Sequence, residues 1–459
     1  MEQRPAGDHA GRFRSRGRAR GSPLEIGVAL TLVMVGIVYV GVHIGIALML
    51  VSVVGIWLIR GSFGVASHLL AMAAADSISN YVFGVVPLFV LMGVVVSESD
   101  IGRDTFDVAE ALVRRVKGGL GIATVAANAV FAAITGVSVA SAAVFTKVAV
   151  PQMLRLGYRP RFAVGVVAGS SVLGMLIPPS LLLILYGILA DQSIGTLFIA
   201  GIVPGLVLAA AFSLGILLLA HFAPGYVGGP SGSPDRMRPR LGAAVAAGKL
   251  GPIVVLIAMV LGGIYGGFFT PTEAAAVGAF AAFVIALVRG RLTVRMIWEI
   301  LLETGNVSVA IFFLIIAASV YSRMLTMSGV PDFVGVSLAR LDVGLYGFLA
   351  IYIVVLVLLG MIIDAASTML VAAPLAIPVA HSFGADPIWF GIVTVIGAEI
   401  GLLTPPFGLS VYAVKATLAD ESIGLADIFA GSFPFVVMMM VVLVAVCAFP
   451  RLALVLVAP

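Results

Sequence analysis

Two broken apolar stretches constrain this chain more than any other feature. One reads Val172-Leu173-Gly174-Met175-Leu176-Ile177-Pro178-Pro179-Ser180, the other Glu399-Ile400-Gly401-Leu402-Leu403-Thr404-Pro405-Pro406-Phe407. The likeness extends to both sides. Val150-Pro151 stands as far before the first Pro pair as Ile377-Pro378 stands before the second, and Ala190-Asp191-Gln192-Ser193-Ile194-Gly195 answers to Ala419-Asp420-Glu421-Ser422-Ile423-Gly424 downstream. A Pro pair removes backbone donors and blocks the helix, which strips upstream carbonyls of partners. Lipid supplies no replacement, so such breaks persist in a membrane only where protein, water or ions satisfy them. Two related halves, each interrupted by Pro and Gly within apolar sequence, form the pattern of a secondary transporter.

Composition agrees with a membrane solvent. Apolar residues make up 61% of the 459 and charged residues 10%, and mean hydropathy is +1.19, whereas a soluble domain carries about 25% charged residues. At ~20 residues per span, the apolar stretches provide roughly ten spans plus half-spans. Long continuous apolar runs exclude a β-barrel, whose strands must alternate. The chain reads as an all-α polytopic membrane protein. Its lone Cys447 excludes an intrachain disulfide and a cysteine metal cluster, and its five His show no ligand spacing. No Gly-rich phosphate loop ending in Gly-Lys-Ser/Thr occurs, so direct ATP drive has no support, and no catalytic cluster marks an enzyme.

The chain divides into a disordered basic tail (1–22), a first repeat (23–221), a Pro/Gly/Arg-rich linker (222–249) and a second repeat (250–459). The tail lacks an apolar core beside a small-residue cleavage site, so it is not a cleaved signal peptide. Spans are expected at about 25–41, 43–60 and 81–97, with 61–80 on the membrane surface. Segment 98–118 is charged, yet Phe106, Ala109, Leu112, Val113 and Val116 recur at helical spacing, which predicts an amphipathic interfacial helix. Residues 119–150 hold Thr135-Gly136-Val137-Ser138 at their middle and predict a re-entrant helical hairpin. Spans follow at about 162–189 and 197–221. The second half predicts spans at 251–268, 273–288 and 305–322, an interfacial segment at 323–344, a hairpin at 345–380, and spans at 386–417 and 425–449.

Charge sets the orientation. Arg103, Arg114, Arg115, Lys117, Arg155, Arg159 and Arg161 flank the first hairpin; only Arg323 and Arg340 flank the second. By the positive-inside rule the first opens to the cytoplasm and the second outward, which makes the repeat inverted. Arg236, Arg238, Arg240, Lys249, Arg289, Arg291 and Arg295 fall on the cytoplasmic side in the same count, which leaves the basic tail outside, against the rule.

Four breaks are candidate binding elements: the tip at Gly136, Ser138 and Ser141; Ser170-Ser171 leading to Pro178; the tip Asp364-Ala365-Ala366-Ser367-Thr368; and Gly397 to Thr404-Pro405. Freed carbonyls with Ser or Thr hydroxyls suit a hard cation, and half-helix N-termini suit an anion. Two such breaks at mid-depth can hold sodium and a carboxylate side by side. Asp364, inside apolar sequence, is a functional carboxylate by default. Glu399 has both a functional and a structural reading. Lys147 and Lys415 read as snorkelling side chains, and Glu273 after Pro271 as an N-terminal cap.

At these residues the chain resembles the large membrane subunit, or M subunit, of TRAP (tripartite ATP-independent periplasmic) transporters. The strings that carry the resemblance are Gly263 to Ala276 (GIYGGFFTPTEAAA), Ile177-Pro178-Pro179-Ser180 with Tyr186-Gly187, Gly360-Met361-Ile362-Ile363-Asp364, and Glu399 to Leu409 (EIGLLTPPFGL). The resemblance implies a sodium-driven importer of a small organic acid in the bacterial inner membrane. It implies two partners, a small four-span membrane subunit (Q) and a periplasmic substrate-binding protein (P), and an elevator motion of both hairpins against a scaffold. Sodium would sit at Gly136, Ser138, Ser170, Gly174 and Pro178, and at Asp364, Ser367, Gly397, Gly401 and Thr404. Substrate would lie near Ser138, Asp364 and Ser171. The chain departs from the family pattern at Ser141 (usually Asp), at Ala365-Ala366 (usually polar), at Gly397 (usually Asn) and at Lys147 (usually small). A stand-alone cation-coupled organic anion transporter, needing no binding protein, is the alternative.

Overall fold

The computed structural model describes residues 22–113, 116–229 and 242–457. The basic tail to residue 21, Arg114, Arg115 and the linker arginines 236, 238 and 240 lie outside them. The first helices are α1 (Pro23–Tyr39), α2 (Ile44–Arg60), α3 (Phe63–Ser79), α4 (Val85–Glu98, entered by a 3-10 turn at Tyr81–Gly84) and α5 (Ile101–Val113). Then come α6 (Gly119–Thr135), α7 (Ser138–Arg155), α8 (Pro160–Ser171), α9 (Leu173–Leu176), α10 (Leu181–Ala190), α11 (Ile194–Phe222) and α12 (Pro224–Val227). After the linker run α13 (Ala243–Tyr265), α14 (Pro271–Val288), α15 (Val294–Ser328), α16 (Val330–Arg340), α17 (Gly344–Gly360) and α18 (Ala365–Ser382). The chain closes with α19 (Pro387–Gly401), α20 (Leu409–Thr417), α21 (Leu425–Ala448) and α22 (Arg451–Leu454).

Among the described residues no strand forms, and seven helices are long and apolar enough to cross a membrane, or eight if α8–α9 and α10, bent by 40°, count as one broken span. The outer faces are apolar: Phe280, Leu287, Val309 and Val441 are exposed. Such a surface is stable against lipid and not against water. The chain is a multi-pass, all-α membrane protein.

Local signals explain the helix ends. Ser22 with Glu25 caps α1, and Thr270 with Glu273 caps α14, each as a reciprocal box with Pro at the first helical position. Gly61 and Gly329 end α2 and α15 in the left-handed conformation. Three stretches differ from the sequence reading. Helix α13 begins at Ala243, inside the expected linker, because the Ala-rich run from Ala243 favours helix over the Pro/Gly signals before it. Helix α15 is 35 residues long, so it overshoots the expected span 305–322 at both ends and takes in the start of the expected interfacial segment at 323. Its polar residues Glu299, Glu303 and Asn306 interrupt the apolar run but not the backbone ladder. The apolar stretch 386–417 is α19 and α20, with the chain out of helix between them.

The order interfacial helix, hairpin, broken helix, long helix occurs twice: α5, α6–α7, α8–α10, α11, and α16, α17–α18, α19–α20, α21. The two copies interlock, with α20 packed on α7 and α10 packed on α18. Helices α8 and α21 cross so closely that a Cβ on Gly165 would stand 2.1 Å from the carbonyl of Gly431. Arg161 pairs with Asp427 at 2.9 Å beside that crossing. A separate apolar cluster joins α1, α2, α3 and α15, and α18 reaches it through Leu370 and Val371.

Helix α5 packs on both arms of the first hairpin and is tied by charge to α13 and the end of α14. Lys249 Nζ lies 3.2 Å from Asp104 and 2.5 Å from Asp107, Arg289 lies 2.6 Å from Asp104, and Arg291 lies 2.9 Å from Asp100. These groups and Arg103 line a cavity of about 470 Å³, so these bases share one face of the molecule. Among the described residues no ion pair ties α16, the corresponding helix of the second half.

Candidate functional site

The site is built by two helical tips pressed against two helical breaks. Helix α6 ends at Gly136, whose φ of +63° only glycine adopts without strain. From this tip the Gly136 carbonyl accepts a hydrogen bond from the N–H of Leu181, the first residue of α10 past the Pro178-Pro179 break, at 3.3 Å. The second tip repeats this: Met361 O accepts from Phe407 N–H, just after Pro405-Pro406, also at 3.3 Å. Both Pro-Pro bonds are cis. The tips touch the breaks through main chain. A Cβ on Gly174 would meet Val137 C and O at 3.1 Å, and one on Gly401 would meet the Cα of Gly360 at 2.6 Å.

Four half-helices therefore start at this junction. Helix α10 starts against the first tip and α7 leaves that tip; α20 starts against the second tip and α18 leaves it. Their first turns and the residues just before them hold no Lys, Arg or His.

Polar side chains there fall into two groups. The first group is engaged. Ser170 Oγ donates to Val166 O at 2.7 Å and accepts from Asn128 Nδ2 at 2.6 Å. Ser171 Oγ donates to Ala168 O at 2.8 Å, and Thr404 Oγ1 to Ile400 O at 2.7 Å. A hydroxyl that donates its proton still presents lone pairs, so these oxygens retain the capacity to face a cation. Asp364 is the N-cap of α18: it accepts from Ser367 N–H at 3.0 Å and from Ser367 Oγ. Ser180 Oγ accepts from Leu183 N–H at 3.3 Å and donates to Met175 O.

The second group is buried without a hydrogen-bond partner: Ser138, Ser141, Thr368 and Ser410 hydroxyls, Asn128 Oδ1, and both carboxylate oxygens of Glu399. Buried polar atoms are normally satisfied, and those that are not call for an explanation such as an ion or ligand. Six residues of this kind stand in the hairpins and broken helices and make this the candidate binding region. Glu399 is 1% exposed. On α19 it lies two residues from Gly397 and Gly401, which face α17, so it projects from the opposite side of that helix.

The structure thus brings Gly136, Ser138, Gly174 and Pro178 together at the first tip, with Ser170 and Ser171 at the end of α8 leading into the same break. Asp364, Ser367, Gly401 and Thr404 gather at the second tip, with Gly397 against Leu356 one turn away. Sequence reasoning did not single out Asn128 and Ser410. Both sit in apolar stretches, and only the fold shows that one bonds Ser170 and the other opens α20. Lys415 donates to Ile423 O at 2.8 Å and to Glu421 O at 3.4 Å, so it closes the α20–α21 loop instead of snorkelling. In that loop the Ser422 hydroxyl and N–H hold the Asp420 carboxyl below its ordinary pKa.

Paired hairpins against paired broken helices define the class: a membrane transporter fold. In accord with this, the structure superposes on the crystal structure of the Alcanivorax borkumensis YdaH transporter with a TM-score of 0.59, at 14% sequence identity over 82% of this chain and 87% of that one. The particular family follows from sequence. The model of the tripartite ATP-independent periplasmic transporter DctM component matches residues 31–452, and the chain belongs to that family. It is 33% identical over 386 residues to the C4-dicarboxylate TRAP transporter large permease protein DctM of Pseudomonas aeruginosa, covering 84% of this chain and 88% of that protein. It is 29% identical over 425 residues to the sialic acid TRAP transporter large permease protein SiaM of Vibrio cholerae, covering 92% and 96%. The ectoine TRAP transporter large permease protein TeaC of Halomonas elongata is 29% identical over 428 residues, with 92% and 96% covered.

Proposed function

We propose that this chain is the large permease of a sodium-driven importer of a small organic acid, working in the bacterial inner membrane with a small membrane subunit and a periplasmic binding protein. One observation carries the reading: four half-helix N-termini meet at the two tips, beside freed carbonyls and buried hydroxyls without partners. Helix N-termini attract a carboxylate, and all-oxygen walls suit a hard monovalent cation. Sodium, as co-transported cargo, would be held by Gly136, Ser138, Ser170, Gly174 and Pro178 in one half. In the other it would be held by Asp364, Ser367, Gly397, Gly401 and Thr404. Substrate would contact Ser138, Ser171 and Asp364. The interlocked hairpins and broken helices would move as one body against α1–α4 and α13–α15. Arg103, Lys249, Arg289 and Arg291, on one face, would lie on the cytoplasmic side.

The test is uptake. The chain is reconstituted in proteoliposomes with its partner subunits, and labelled organic acids are offered with an inward sodium gradient or with potassium in its place. Sodium-dependent accumulation that collapses when the gradient is dissipated is expected. Uptake indifferent to sodium, in vesicles that hold a gradient, refutes the coupling; uptake that needs no binding protein favours the stand-alone transporter.

A further inference from the structure

The four N-termini at the site are not equivalent. Helices α10 and α18, which pack on each other, are both closed by their own side chains: Ser180 accepts from Leu183 N–H, and Asp364 accepts from Ser367 N–H. Helices α7 and α20, which also pack on each other, have no side-chain cap. Their N-cap residues are Val137 and Gly408, which offer no acceptor. At these two open ends stand Ser138, the first residue of α7, Ser141 in the same turn, and Ser410, the second residue of α20. All three are 0% exposed, and none of their hydroxyls has a partner. One pair of ends is thus capped by side chains from within, while the other has no side-chain cap and carries buried hydroxyls without partners.

We propose that the α7–α20 pair is a subsite for a single carboxylate, held by Ser138, Ser141 and Ser410, and that the chain selects acids bearing one carboxylate and an uncharged or cationic far end. This rests on the transporter reading above and specifies its substrate class. The chemistry of an anion matches the open pair: backbone N–H groups, the positive ends of two helix dipoles and hydroxyl donors. The closed pair has the opposite character. Its Leu183 and Ser367 N–H groups are engaged by the caps, and its fixed acid, Asp364, repels a second carboxylate. The tips and breaks hold two acids, Asp364 and Glu399, and no base. A dianion would find one receptive end and one repelling end. A zwitterion or monoanion meets no such conflict, and Thr368, also without a partner, offers its far end a neutral hydrogen bond.

The experiment uses the purified full-length chain in detergent at saturating sodium, with melting temperature followed against three probes. These are propionate with one carboxylate, β-alanine with one carboxylate and an ammonium group, and succinate with two carboxylates, each raised to about 50 mM, a range that reads millimolar affinities. Propionate and β-alanine are expected to raise the melting temperature saturably, with succinate at least about tenfold weaker, and Ser410→Ala to weaken propionate about tenfold, the loss of one hydrogen bond to a charged group. Ser141→Ala should act in the same direction, and the sodium-induced rise, retained in both, reports an intact fold.

Succinate binding as tightly as propionate overturns the inference, as does a Ser410→Ala chain of unchanged affinity or no response to either single-carboxylate probe. The two readings fail separately. Sodium-driven uptake of succinate indifferent to Ser410→Ala sinks this inference alone, whereas the expected binding pattern without any sodium-driven uptake sinks the transporter reading alone.

Discussion

Adding one methyl group at the α8–α21 crossing tests how tightly the fold holds its site. In Gly431→Ala the new Cβ would lie 2.0 Å from Arg161 O, a main-chain atom inside α8's own first turn. Ordinary contact begins at 3.4 Å, so the helices must part by about 1.4 Å along that line before the repulsion is relieved. Overpacking costs about 1–3 kcal/mol, and backbone on the far side, which cannot rotate away, places Gly431→Ala near 3 kcal/mol. The displacement would reach Ser170, at the end of α8, and strain its 2.6 Å bond from Asn128. Two readouts follow: a melting temperature several degrees below wild type in detergent, and a higher sodium concentration for half of the sodium-induced rise. The control is Gly262→Ala on α13, where a Cβ meets nothing within 4 Å, and which should melt like wild type. If Gly431→Ala melts with Gly262→Ala and the parent, the backbone-on-backbone crossing is not what holds α8 in place.

Other outcomes are expected on the same footing. Lys249→Met leaves Asp107 without its partner and Asp104 with only Arg289, at groups about one quarter exposed; a loss of about 1 kcal/mol, discounted for solvent screening, is expected, and it should shrink as salt rises. Glu273→Ala opens the reciprocal cap of α14 at Thr270 and should lower the melting temperature slightly with the sodium response unchanged. Asn128→Ala removes the donor to Ser170 and should weaken the sodium-induced rise while leaving propionate binding at fixed high sodium intact; an unaltered sodium titration would count against a role for Asn128. Tyr186→Phe deletes the bond to Pro387 O, which ties α10 to α19, at about 1 kcal/mol in chemical denaturation.

What was legible in the sequence was legible through backbone chemistry. The pairs Pro178-Pro179 and Pro405-Pro406 each remove two successive backbone donors, and Gly136 beside polar residues permits a left-handed turn, and the structure breaks at each. Amphipathic spacing from Ile101 to Val113 was equally plain. Features that depend on which helix lies against which were not. Ser410 and Asn128 look like ordinary polar residues in apolar runs, and their meaning comes from the packing of α20 on α7 and of α6 on α8. The cap on Asp364 was also hidden, because Asp three residues before Ser is compatible with both a free carboxylate and a capping one. Helix α15 was underestimated because glutamates in an apolar window lower its hydropathy without lowering its helix propensity.

The contacts between tips and breaks run main chain to main chain, at Gly174 against Val137 and at Gly360 against Gly401. A wall of this kind has no side chain to delete. Truncation has nothing to remove there, whereas alanine at Gly174, Gly360 or Gly401 adds a Cβ pressed against backbone of the opposing segment. Change without collision is thereby confined to the few positions that do carry side chains, Ser138, Ser141, Thr368 and Ser410, so on the proposed reading a new cargo would be acquired by exchanging a handful of hydroxyls on an unaltered frame.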